Sequence, residues 1–382
     1  MRGQLPPACY VDADAFGIER ERLFRRLWQF AGLAHFVAAP DGFMTTEIGG
    51  IEVVVQNCGG AIRAFENVCL HRGKVIQTQS WGTRPLVCGY HGWRYANDGS
   101  VETIPFEAEA YRLPSEERHC LKLREFAVRV VGSLVFVNVA DAPLPIESQF
   151  RPALLDAVAS ATDAFDHEIL VARWRRPFDW KLAYENLRDA VHPRFVHTQT
   201  LARYASFPLV SEPADTSDSG SPAGITPDLV DLSFGGAEGE IRRDRPPAFA
   251  EWVDRWGTTD AYFNWLLFPN LHVLTPDGGY SFSVEHHRPV APGTTEITAF
   301  FMTARKRRAS AWLAPTLWEM AKAAKRILDE DTAVMEDVQR AIRPDSRAVT
   351  QGFYEIQNRR TDRWYVDNVL AGTRYAAEGV RG

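Results

Sequence analysis

Long apolar runs are missing. Nowhere in the 382 residues do about eighteen consecutive apolar side chains occur, so the sequence offers no membrane-spanning helix. An excess of positive charge is missing too. Lys and Arg number 43 against 49 Asp and Glu, a net charge of −6, which argues against a nucleic-acid or anionic-membrane partner. Cysteine is sparse: five residues build no disulfide framework and suit a reducing compartment. The N-terminal run Met1-Arg-Gly-Gln-Leu-Pro-Pro lacks the apolar core of a signal peptide, and the expected location is the cytoplasm. What is present is 45% hydrophobic, 12% aromatic and 24% charged, ordinary for a soluble enzyme and somewhat rich in rings. The length allows two domains with full cores.

Two of the cysteines stand out by their neighbours. Cys69-Leu-His71-Arg72-Gly73 and Cys88-Gly-Tyr90-His91-Gly-Trp93 each offer one thiolate and one imidazole, with sixteen residues between His71 and Cys88. Folded together, they make an S2N2 clamp of the kind that holds zinc or a Rieske [2Fe–2S] cluster. Gly73, Gly89 and Gly92 allow tight turns whose amides point at bridging sulfides. Tyr90 and Trp93 offer a hydroxyl and apolar cover that tune a redox centre. A zinc clamp calls for none of these extras. Cys9, Cys58 and Cys120 are dispersed and read as buried fillers. The paired motif resembles the C-x-H-R-G … C-x-Y-H-G-W signature of the Rieske non-haem iron oxygenases. On that resemblance Cys69, His71, Cys88 and His91 hold a [2Fe–2S] cluster, with Arg72, Tyr90 and Trp93 around it.

Periodicity organises the rest. Asp14–Trp28 reads as a helix capped by Asp14, with an Arg-rich outer face. Short strands broken by Gly, Asp and Asn fill 43–139, and Asn57-Cys-Gly-Gly and Asn97-Asp-Gly read as hairpin turns. Ala142-Pro-Leu-Pro marks a boundary. A helical stretch covers about 149–160, and 206–247 reads as a long loop. Residues 262–302 form an antiparallel meander, a long helix spans about 311–342, and an aromatic tail with Phe353, Tyr354, Trp364 and Tyr365 packs on the body or on a neighbouring subunit. The expected domains are an N-terminal helical segment over 1–40 packing on the catalytic domain, a cluster domain over 41–145 and a catalytic domain over 146–382.

A second site begins at Trp180. Asp189 and His192 are three apart on a helix face, but His197 swings about 140° from His192 on an ideal helix. Pro193 cannot donate to the Asp189 carbonyl, so the helix is expected to kink there and bring the two rings together. On the long helix, Leu317, Met320, Ala324, Ile327, Leu328, Val334, Met335, Val338 and Ile342 form an apolar stripe with Asp331 in its middle; Asp329 and Glu330 point away. A carboxylate on a buried face needs a metal or a buried Arg, and both readings stay open on this feature. Two His and one carboxylate are the donor set of non-haem Fe(II) oxygenases.

The E-N-x-x-D-x-x-H-x-x-x-x-H run again resembles the Rieske oxygenase α subunits. The resemblance implies Fe(II) on His192, His197 and Asp331, Asp189 as the carboxylate linking cluster and iron histidines, and Asn186 near the iron. Val191 and Asp179 depart from the Tyr and Asn many members carry there. An α+β fold is implied: a small all-β Rieske domain plus a catalytic antiparallel sheet wrapped around a long helix (helix-grip, START-like). The implied activity is that of a terminal oxygenase, fed from NAD(P)H through a flavin reductase and/or ferredoxin, that uses O2 to mono- or dihydroxylate a small aromatic substrate. A homotrimer is implied, with or without a small β subunit. The alternatives are action on a quaternary amine or by oxidative demethylation, a Rieske electron carrier, and an apolar-ligand-binding protein. His35, His119, His167 and His272 read as having no metal role. One of His286 and His287 points inward.

Overall fold

The structure is a computed structural model that describes residues 5–189, 191–206, 232–235, 239–309, 311–347 and 349–379. Its contacts divide the chain into two units, Glu19–Ile146 and Met1–Ile18 together with Glu147–Gly382. The piece expected to run from 1 to 40 is therefore split. Residues from Glu19 belong with the smaller unit because Gln29–Leu33 is a strand paired with Leu134–Asn138. The first helix is correspondingly shorter. It covers Ala13–Glu19 and widens over Arg20–Phe24, and it is Asp12, not Asp14, whose carboxylate accepts from a backbone amide at its start.

The smaller unit is a seven-stranded antiparallel sheet. Laid side by side, the strands run Gln29–Leu33, Leu134–Asn138, Glu125–Val131, Ala61–Glu66, Ile51–Cys58, Gly42–Ile48 and Trp81–Thr83. Arg94–Tyr95 pairs separately with Val101–Thr103. Both faces of the strand Ile51–Cys58 are covered, which the uninterrupted Val53-Val54-Val55 anticipates. Val54 joins one core with Phe65, Trp93 and both motif cysteines. Val53 and Val55 join another with Ala64, Val135 and Val137. The expected hairpin turn at Asn57 forms: the Asn57 side chain accepts from the Gly60 amide at 2.8 Å. At the second turn, Gly99 takes φ +85°.

The larger unit is an eight-stranded antiparallel sheet. Leu170–Arg176, Thr294–Thr303, Ser281–Ala291, Leu271–Thr275, Ala261–Leu267, Gly239–Ile241 and Ala205–Ser206 lie in that order, and Phe234–Gly235 pairs with Ala261–Leu267. The long helix Leu313–Ala341 packs across this sheet. Phe178, Leu182, Ile297 and Met335 form one core beneath it, and Ala299, Phe301 and Ala321 another. The apolar stripe of that helix is narrower than its periodicity suggests. Val334 and Val338 are 40% and 42% exposed, because they lie on its flank, while Met335 and Ile342, nearer its axis, pack with Ile297 of the sheet. Among the described residues no helix is long and apolar enough to cross a membrane.

Of the expected 206–247 loop, 207–231 and 236–238 lie outside the described residues. The remainder adds strand fragments of two or three residues to the sheet edge, too short for any period to announce. The C-terminal residues form the helices Ile356–Asn368 and Arg374–Gly379, and Trp364 and Tyr365 are buried.

Two glycines separate conformation from packing. A methyl group on Gly99 would meet the Phe65 ring at 2.7 Å. Gly99→Ala is therefore expected to destabilise the smaller unit by about 1–3 kcal/mol. Gly17, inside the first helix, has open space around it, and Gly17→Ala is expected to stabilise by about 0.5–1 kcal/mol. Denaturant unfolding of both variants checks the opposite signs.

Candidate metal centres

The two Cys–His segments fold as matching hairpin loops. The Cys69 amide donates to Lys74 at 2.8 Å and the Gly73 amide to Cys69 at 2.9 Å. Nineteen positions on, Cys88 donates to Trp93 at 2.8 Å and Gly92 to Cys88 at 3.0 Å. Each loop is closed by one bridge, Val68 to Val75 and Val87 to Arg94. The return of each chain requires the left-handed region, occupied by Gly73 at +69° and Gly92 at +76°. Gly89 lies in the same turn without a left-handed φ, so of the three glycines it is the one whose conformation other residues can adopt.

Both cysteines are buried, and the His71 and His91 rings lie 4.4 Å apart in an edge arrangement. The Nδ1 atoms of both rings are enclosed without a partner, which in a satisfied core is rare. Burial raises the Cys69 thiol and Tyr95 opposes it, so a thiolate here needs a cation. Among the described residues the one group of three or more ligand atoms within 4.8 Å of one another lies elsewhere. The quartet is too spread for one tetrahedral zinc and fits the wider span of a two-iron cluster.

Trp93 provides the expected cover, stacking on His71 at 5.2 Å. Tyr90 does not provide the hydroxyl. It is 54% exposed, with its ring against His91 and Arg72 over its face at 5.8 Å. The hydroxyl comes from Tyr95, which donates to Cys69 Sγ at 3.1 Å and accepts from the Leu70 amide at 3.0 Å. Its signal was positional: two residues beyond Trp93, on the same side of the closing strand.

The second centre departs from a kinked helix. The helix Trp180–Asn186 ends, and Pro193 opens a separate one-turn helix, Pro193–Val196. Proline suits a first helical position better than an interior one. His192 and His197 stand immediately before and after that turn, with ring centroids 5.2 Å apart. Asp331 comes from the long helix, with Oδ1 3.4 Å from His192 Nε2 and 3.0 Å from His197 Nε2. These three residues are the group whose ligand atoms lie within 4.8 Å of one another. Asn186 donates to Asp331 Oδ1 at 3.0 Å. Burial raises the Asp331 carboxyl, but His192 and His197 outweigh it and hold it at about 2. An ionised carboxylate between two imidazoles fits a divalent cation, and no buried Arg pairs with Asp331 among the described residues.

Glu330 does not point away. It accepts from His197 Nδ1 at 2.8 Å and from the Thr200 hydroxyl at 2.5 Å, fixing the ring from its far side. Asp329 faces outward to Arg176 and Lys325. Asp189 accepts from the amides of Val191 and His192. Its other oxygen lies 4.0 Å from His192 Nδ1, an ion-pair distance and not a hydrogen bond. The three donors open on a cavity of about 800 Å³ lined in part by Phe249, Phe282, Phe301, Met320 and Ile327. His272 lines it too, which the sequence reading missed. His286 and His287 do not.

The family model of the Ring hydroxylating alpha subunit (catalytic domain) matches residues 163–371, more than half of the chain. The chain belongs to the ring-hydroxylating alpha-subunit family. The Rieske [2Fe-2S] domain model matches residues 28–126, and the cofactors are a Rieske cluster and a mononuclear iron. A chlorobenzene dioxygenase subunit alpha from Cupriavidus sp. (strain PS12) is 34% identical over 200 residues, covering 50% of this chain and 43% of the relative. The large oxygenase component of a naphthalene 1,2-dioxygenase system from Pseudomonas putida is 28% identical over 76% of this chain and 68% of its own length. The chain thus spans less than half of the first curated relatives it matches. A quaternary ammonium Rieske monooxygenase shares the fold, with a TM-score of 0.73 at 18% identity over 96% of this chain and 94% of its own. So does a naphthalene 1,2-dioxygenase from Rhodococcus sp., with a TM-score of 0.69 at 19% identity over the same shares.

Two outcomes follow from these surroundings. Tyr95→Phe removes a hydrogen bond to a cluster-side sulfur and is expected to lower the reduction potential while the cluster stays bound, as a redox titration followed by EPR would show. Burial, with Asp362 adding to it, pushes Glu185 up to about 8. The unfolded chain then holds fewer protons than the folded one between about pH 4.5 and 8. Stability present at acid pH is lost as pH rises through that window, with a slope up to ~1.4 kcal/mol per unit. Glu185→Gln is expected to flatten it in urea titrations at several pH values.

Proposed function

We propose that this chain is the terminal oxygenase component of an electron-fed oxygenase acting on a small, ring-containing substrate. Cys69, His71, Cys88 and His91 hold the cluster, and His192, His197 and Asp331 hold Fe(II). The observation that supports this most is the convergence of three ligating side chains, from two distant parts of the chain, on the wall of a largely apolar cavity. An electron carrier needs neither the triad nor the cavity, and a simple ligand carrier needs no ligand set.

When bound, the two groups supply one-electron relay and dioxygen activation. The protein supplies the rest. Glu330 and Thr200 keep His197 from rotating, and Asn186 steadies Asp331. The Asp189 turn fixes the backbone at His192 and places a carboxylate beside its free nitrogen. Apolar walls hold a ring and keep water from the triad. Electrons come from NAD(P)H through a flavin reductase and/or ferredoxin. The working assembly is a homotrimer in which one subunit's cluster serves a neighbour's iron, in the cytoplasm. The apolar lining favours hydroxylation of an aromatic molecule over attack on a quaternary amine.

The test is iron analysis joined to NADH- and O2-coupled turnover. About three irons per chain are expected, two in the cluster and one at the triad; about two would sink the assignment. Asp189→Ala is expected to retain both metals and lose at least 90% of coupled product formation, roughly a tenfold effect, measured by product mass against NADH consumed. Product at the wild-type level would remove Asp189 from the relay.

A further inference from the structure

The cavity has a polar floor under its apolar walls. Three neighbouring strands, Ala261–Leu267, Leu271–Thr275 and Ser281–Ala291, place Asn264, His272, Ser283 and Glu285 on its lining. Register puts His272 opposite Glu285, Leu274 opposite Ser283, and Asn264 opposite Leu274. His272 is 2% exposed, Glu285 3% and Asn264 6%. Four polar side chains on one patch of a concave, buried sheet face are not a packing solution.

Their hydrogen bonds are incomplete in one direction only. Glu285 accepts from His272 Nδ1 at 3.0 Å and from the Ser283 hydroxyl at 3.1 Å. Burial raises this carboxyl, and His272 and His287 outweigh it, holding it well below the usual carboxylate range. Glu285 is thus satisfied. His272 Nε2 and Asn264 Oδ1 are enclosed and have no partner. An amide can turn over, but the imidazole is committed. Glu285 holds the ring at Nδ1, and the tautomer that carries its proton there presents the Nε2 lone pair to the cavity. Leaving such acceptors unpaired is costly.

We propose that this floor is a recognition subsite for a neutral hydrogen-bond donor, a hydroxyl or amino group, on an otherwise apolar ring-sized molecule. The donor hydrogen goes to His272 Nε2, and Asn264 takes the same group's second hydrogen or offers its own N–H to the hydroxyl oxygen. A carboxylate is disfavoured, because it would stand one imidazole away from the buried charge of Glu285, and the cations of the lining are engaged elsewhere, Arg188 by Gln357 and Thr361 and Arg243 by Asp260 and Asp277. A quaternary ammonium group is disfavoured because it has no N–H to give. The subsite deepens the oxygenase reading and rests on it for the fate of the bound molecule.

The experiment is anaerobic calorimetry on the iron-loaded protein with naphthalene, naphthol, naphthylamine and naphthoate, which share one apolar body. Naphthol and naphthylamine are expected to bind about tenfold more tightly than naphthalene, the effect of one satisfied hydrogen bond. His272→Phe and, independently, Asn264→Leu are expected to erase that preference while naphthalene affinity stays within about threefold. The ratio is the readout, since a merely structural role would weaken every ligand alike. Equal affinities in the wild type, or naphthoate as the tightest ligand, would overturn the subsite. Dioxygen uptake in the same preparation separates the two readings. Uptake without donor preference refutes the subsite alone; donor preference without uptake supports the subsite and removes the oxygenase.

Discussion

A carboxylate buried on the inner face of a long helix is the constraint around which the larger unit is arranged. Asp331 is 5% exposed and ionised, so its surroundings must supply compensation from nearby. The compensation comes from His192, His197 and Asn186, none of which is near it in sequence. Bringing them there requires the sheet to carry the long helix and the Trp180–Asn186 helix against one another. Ile297 and Met335 do this, packed with Phe178 and Leu182. The cavity lies between that helix, through Met320, Ile327 and Asp331, and the strands that carry Asn264, His272 and Glu285.

Much of this was legible beforehand, for identifiable reasons. The cluster loops announced themselves because ligand spacing is local: Cys, His and Gly within five residues dictate one hairpin, and the chain repeats it. The meander and the long helix were legible because each sustains its own period over many residues. Asp331 was legible as an anomaly within such a period. Asn186 and Asp189 came through a resemblance, not through periodicity.

The failures are equally physical. The motif points to Tyr90 where the structure uses Tyr95, because a hydroxyl's partner depends on which way a strand turns: Tyr90 is exposed and Tyr95 is in the core. At Pro193 the sequence suggests a kink and the structure has a break, since proline signals an interruption without saying whether one helix bends or two begin. The stripe is drawn too wide at Val334 and Val338, because the period of a helix gives the direction of its buried face and not how far the partner sheet reaches round it. His272 is assigned no metal role by the sequence, which is silent on any other. Its meaning lies in Glu285, thirteen residues away across a hairpin, and cross-strand register is not local information.

Asp329, Glu330 and Asp331 are three consecutive acids, and in an extended chain or a coil they would only repel one another. On a helix each step turns about 100°, so three neighbours in sequence become three compass bearings. One meets a surface guanidinium on Arg176, one the far nitrogen of His197, and one the ion site itself. A single turn of backbone thereby ties the outside of the protein to both edges of an imidazole. Any twist of that helix about its axis would be felt at all three at once, which makes its rotation, more than its position, the quantity the fold has to hold still.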